Sequence, residues 1–95
     1  MGNQISIKVN IADRIYPLRV EEEEEERIRK AADLINKKMS IYVEQYSIKD
    51  KLAALSMCVL EVMTEYLTLE EQSQQEREKL KNHLMDIERA LESVS

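Results

Sequence analysis

The stretch RVEEEEEERIRKAADLIN, Arg19 to Asn36, decides the fold, because the spacing of apolar residues changes within it. Before it, Ile5, Ile7, Val9 and Ile11 alternate with Gln4, Ser6, Lys8 and Asn10, and the alternation resumes at Tyr16, Leu18 and Val20. Successive strand residues point to opposite faces, so each run reads as a β-strand with one apolar face. Ala12-Asp13-Arg14 joins the two strands into a hairpin. Asp13 suits the turn because its short side chain bonds local backbone and tolerates a left-handed conformation. Pro17 has no N–H to give a ladder, which puts it on an edge or at a bulge. A lone hairpin is marginal in water, so this one is expected to lie on helices or extend its sheet with a second chain.

After the stretch, Ile28, Ala32, Ile35, Met39, Tyr42 and Tyr46 recur at steps of four and three, with Ala31, Leu34 and Ile41 widening the stripe. That period predicts a core-facing helix from about Glu22. The six glutamates, Glu21 to Glu26, then read as its start, where the macrodipole favours negative charge. Glu23, Glu25 and Glu26 stand four residues before Arg27, Arg29 and Lys30, the favourable order for exposed pairs. Each such pair is worth about 0.3–0.5 kcal/mol, so the run starts and solubilises the helix without holding the fold together. A metal cluster is not expected, because adjacent helical side chains fan out by about 100° each.

Ser47 followed three residues later by Asp50 reads as a capping box, which predicts a second helix from about residue 48. No Gly or Pro follows Pro17, so that helix can run to the early nineties. Some 45 residues at 1.5 Å each make roughly 65–70 Å, too long to bury on one small domain, and a projecting coiled coil is expected. Leu52, Leu55, Val59, Val62, Tyr66 and Leu69 form its first seam, beside a second stripe of Ala53, Met57, Leu60, Met63 and Leu67. Leu80, Leu84, Ile87, Leu91 and Val94 restore a narrow seam after a polar stretch. The step from Leu69 to Leu80 exceeds a heptad by four residues, a stutter that locally unwinds a left-handed supercoil. The fold class is therefore α+β. A globular head is expected over residues 1–69, and a coiled-coil extension that self-associates over residues 70–95.

Composition narrows the functions. Ninety-five residues allow one small domain, which buries little apolar surface unless oligomerisation helps. The single cysteine, Cys58, lies in an apolar helical pattern and reads as a small buried hydrophobe of a reducing compartment. MGNQISIKV has no basic-then-apolar leader, and no run of about 18 uninterrupted apolar residues occurs, so a soluble cytoplasmic chain without direct membrane insertion is expected. Met1-Gly2 opens like a myristoylation signal, but Ile5 and Ser6 read better as the start of a strand. The net charge of −5 is spread as +2, −6, +4 and −5 over residues 1–20, 21–26, 27–51 and 52–95. Such an acidic chain repels a polyphosphate, which argues against nucleic acid as partner. His83 is the one histidine, and no metal-ligand pair, Gly-rich phosphate loop or nucleophile–base set accompanies it. No catalytic residue, cofactor or metal is expected. Charged residues at element boundaries, Arg14, Arg19, Lys49, Asp50 and Lys51, remain as candidates, since turns and corners are where a scaffold presents binding groups.

Taken in order, ISIKVNIADRIYPLRVEEEEEERIRKAADLINKKM and KDKLAALSMCVLEVMTEYL resemble the ZapA family of bacterial cell-division proteins over nearly the whole chain. The resemblance implies a non-enzymatic accessory of the Z-ring in septation, which binds the tubulin-like GTPase FtsZ and bundles or cross-links its protofilaments. It implies a homodimer with a globular head, and a homotetramer of two dimers joined through their coiled coils. It also implies FtsZ contacts at Arg14, just after the turn, and at Asp50, at the start of the long helix, with Arg19 matching another basic head position. Asp13 stands where the family usually has Gly, and Val59 about where it has Asn. The rival reading is a generic coiled-coil adaptor or chaperone for another cytoplasmic protein.

Overall fold

A computed structural model describes residues 2–94; Met1, first of the lipidation-like opening, and Ser95, last of the expected extension, lie outside the described residues. The chain forms β1 (Gln4–Ile11), β2 (Arg14–Glu21), a 3-10 turn (Glu22–Glu24), α1 (Glu25–Gln45) and α2 (Lys51–Val94). This is the expected α+β order of a hairpin, a helix and a long second helix. Its contacts divide into two units, Met1–Leu60 and Glu61–Ser95.

In the first unit β1 and β2 pair antiparallel, from Ile11 opposite Arg14 to Gln4 opposite Glu21. The loop is therefore two residues, Ala12 and Asp13, and both have positive φ, 55° and 64°. That is the requirement of a type I′ turn, whose twist matches the strands. Counting outward from the Ile11–Arg14 pair, Pro17 opposite Lys8 falls on a non-hydrogen-bonded pair, so its missing N–H faces the open edge.

The apolar face of β1 meets α1. Ile7, Val9 and Ala32 are buried together, with Ile5, Ile11, Val20 and Ile28 packed around them. Further along α1, Met39 closes a second cluster with Ala54 and Cys58 of α2, flanked by Ala12, Ile35, Tyr42, Ile48 and Leu55. Cys58 is thus a buried small hydrophobe, as expected. The core is small, and the strand expectation is fulfilled on one side only. The apolar face of β2 is uncovered at Tyr16 and Leu18, as are Leu34 and Ile41 on α1.

Three local expectations are corrected. The glutamate run first makes a 3-10 turn, and the α-helix begins at Glu25. Glu25–Arg29 (3.0 Å) and Glu26–Lys30 (3.5 Å) form as foreseen. Glu23, inside the 3-10 turn, is not at α-helical spacing from Arg27, and that pair is not formed among the described residues. Lastly, Ser47 does not cap α2. It takes a left-handed conformation (φ 54°) that ends α1, and the Ile48 N–H returns to the Tyr42 carbonyl at 3.2 Å. The cap is Asp50: its Oδ1 accepts the Leu52 N–H at 3.1 Å, and its carbonyl accepts the Ala54 N–H at 3.0 Å. The helix accordingly begins at Lys51, not at residue 48.

Candidate partner interface

The hairpin turn is where charge and geometry converge. Ala12 and Asp13 hold left-handed angles without glycine, which costs an L-residue roughly 1–2 kcal/mol. Asn36 of α1 answers this: its Oδ1 accepts the Ala12 N–H at 3.0 Å, and its Nδ2 donates to the Asn10 carbonyl at 2.7 Å. The Asp13 carboxylate in turn accepts a hydrogen bond from Lys51 Nζ, at the first residue of α2. The hydrogen bond and the charge of Lys51 hold the Asp13 carboxyl below its usual range.

That ion pair brings two chain segments to one corner. Arg14 follows Asp13, while Lys49 and Asp50 precede Lys51, and all three are exposed. Behind the corner lies an open groove of about 800 Å³ whose walls include Lys8, Asn36, Met39 and Lys51. Arg19 is elsewhere: it lies five residues along β2 from Arg14, about 17 Å at the usual strand rise. Its Nε donates to Gln4 Oε1 at 3.0 Å. The four candidate contacts therefore divide into a corner of Arg14, Lys49 and Asp50 and a separate Arg19.

The seam residues form the other candidate surface. In the first unit Leu52 and Val59 are exposed, while Leu55 is half-buried against the Met39 cluster. In the second unit Val62, Tyr66, Leu69, Leu80, Leu84, Ile87 and Leu91 are all exposed, from 40% at Val62 to 68% at Leu91. An 18-residue window of α2 reaches a mean hydropathy of 1.5, yet only 11% of it is buried. Apolar surface on this scale marks a site of association.

Two structural residues escaped the reading of the sequence. Asn36 stands four residues after Ala32 and three before Met39, both buried, so it shares their face. A polar residue on a buried face is the signal that could have revealed it. The second is Ala54, which has no exposure and meets α1 one turn before Cys58, whereas most of the larger apolar side chains of α2 stand open.

A hairpin-and-helix head with a charged corner, continuing into a long helix with an uncovered apolar seam, defines a scaffold of the head-and-coiled-coil class. The model of the family described as "Cell division protein ZapA" matches residues 7–94, and the chain belongs to that family. It is accordingly a cell-division protein. Among solved structures it is similar to "ZapA mutant dimer from Geobacillus stearothermophilus", with 26% identity and a TM-score of 0.69, over 85% of this chain and 93% of that one. Curated proteins include no significant match.

Proposed function

We propose that this chain is a cytoplasmic accessory of the division site that binds FtsZ and cross-links its protofilaments as a homo-oligomer. The observation that carries this is the uncovered seam of α2, exposed at Leu52, Val59, Val62, Tyr66, Leu69, Leu80, Leu84, Ile87 and Leu91. Facing copies bury such a seam by knobs-into-holes packing. Two chains pair along it, with Leu55 at the margin of the head, and two dimers join through residues 70–95 into a tetramer, while residues 1–69 form the heads. Several heads on one shaft turn separate weak contacts into a cross-link, with a gain in avidity of about 10²–10⁴ from effective concentration alone. Neither catalysis nor a cofactor is needed.

Each head contacts FtsZ through Arg14, Lys49 and Asp50, with Arg19 as a second, distant contact. Exposed charges of this kind act mainly through electrostatics, so binding weakens as salt rises. Co-sedimentation with FtsZ polymers tests the assignment. Arg14→Ala and Asp50→Asn should each leave more protein in the supernatant. Asparagine caps a helix as well as aspartate does, so Asp50→Asn removes the charge and keeps the fold, whereas Asp50→Ala also loses about 1 kcal/mol of capping. Normal pelleting by both Arg14→Ala and Asp50→Asn would move the contact away from this corner.

A further inference from the structure

The hairpin turn carries its left-handed angles on Ala12 and Asp13, at φ 55° and 64°. Alanine has no side-chain group with which to hold such an angle, and its Cβ crowds the following carbonyl. Beyond the Ile11–Arg14 pair that closes the turn, a further hold comes from outside the hairpin. Asn36 accepts from the Ala12 N–H at 3.0 Å and donates to the Asn10 carbonyl at 2.7 Å, so one amide grips the backbone on both sides of Ile11. The grip is firm because Asn36 lies one helical turn from Ala32 and from Met39, both buried. The Asp13–Lys51 pair also touches the turn, but both side chains are mostly exposed, 79% and 61%, and water and salt screen it.

We infer that Asn36 is a positioning residue for partner binding: it locks the Ala12-Asp13 turn and so fixes the direction in which Arg14, the next residue, leaves the hairpin. This rests on the reading that Arg14 contacts FtsZ. Asn36 itself contributes through the turn and not through a contact of its own.

A double-mutant cycle in FtsZ co-sedimentation separates positioning from bulk stability. Asn36→Ala removes two hydrogen bonds to backbone and should weaken binding roughly tenfold. In an Arg14→Ala background the same change should cost little more, because there is no longer a contact to aim. Asn36→Asp keeps the acceptor for Ala12 and loses the donor to Asn10, so it should fall between. Adding Ala12→Gly to Asn36→Ala should restore most of the binding, since glycine adopts the turn angle unaided. Amide hydrogen exchange supplies a readout without FtsZ: the Ala12 N–H should exchange faster in Asn36→Ala, while amides of α2 keep their protection. Equal losses from Asn36→Ala with and without Arg14, or a failed glycine rescue, would reduce Asn36 to a merely stabilising residue. A loss with Arg14→Ala but none with Asn36→Ala sinks this inference alone. Unchanged pelleting by Arg14→Ala sinks the contact reading and this inference together.

Discussion

Replacing Leu84 with alanine tests the proposed shaft at one point. Leu84 is 56% exposed in the single chain, so its own helix already covers the remainder. Fully burying a leucine contributes about 1.5–3 kcal/mol, and the part left for a partner to cover is therefore worth about 1–1.5 kcal/mol per copy. Two facing copies lose about 2–3 kcal/mol, which weakens self-association by about 30- to 150-fold. A four-helix layer would double the free-energy loss. Sedimentation velocity across a dilution series reads the shift directly. Asn82→Ala is the control, since it sits about 200° round the helix from Leu84. Near-UV circular dichroism checks the rest of the fold, because the tyrosines lie at 16, 42, 46 and 66, all well before the substitution. A self-association constant within threefold of the unaltered protein, with Asn82→Ala behaving the same, would refute the claim that this seam joins chains.

Two further outcomes follow from the first unit. Ala54 has no exposure and packs in the Met39 cluster, so Ala54→Leu forces extra volume into a closed site and should cost about 1–3 kcal/mol. At about 4–8 °C per kcal/mol the thermal midpoint should drop clearly at fixed protein concentration, and a midpoint within two degrees or so of the original would contradict this packing. Asp13 gives a pH test. Its folded carboxyl lies below the ordinary value of 3.8, so the Lys51 pair stabilises fully above that value, and the contribution fades as acid carries the pH down through the folded value. Carbon-detected NMR titration should find the Asp13 midpoint depressed, and Lys51→Ala should return it to the ordinary range; an undepressed midpoint would dissolve the link between the turn and α2.

Much of this fold was legible because two periods dominate it. The alternation from Ile5 to Ile11 faces α1 as expected, and the stripe Ile28, Ala32, Ile35, Met39 is the side of α1 that packs. The absence of Gly and Pro after Pro17 is why α2 runs unbroken from Lys51 to Val94. The helix corner was misread for a physical reason. Ser47 and Asp50 are both residues that bond nearby backbone, and their spacing fits a capping box. The chain also needs one left-handed residue to leave α1, Ser47 supplies it, and a spacing pattern carries no information about φ. Cys58 was legible as a small buried hydrophobe, whereas Ala54 was hidden because hydrophobic stripes are weighted by large side chains and close helix contact selects small ones. The candidate contacts were singled out by charge at element boundaries, Arg14 at the turn and Arg19 near the end of the second strand, and five residues of β2 set them about 17 Å apart.

Asp13 shows how a hairpin turn without glycine is held. With aspartate rather than glycine at φ 64°, the turn has no residue that is free to be left-handed, and a negative charge stands next to Arg14. The first is met by Asn36, whose amide grips the turn. The second is met by Lys51, which takes the Asp13 carboxylate. The two charges offset each other beside the exposed Arg14, Lys49 and Asp50. The same pair ties the hairpin to the first residue of the helix that Asp50 caps. Because Asp50 both caps and carries charge, its alanine variant mixes two effects, and the proposed contact is judged on Asp50→Asn.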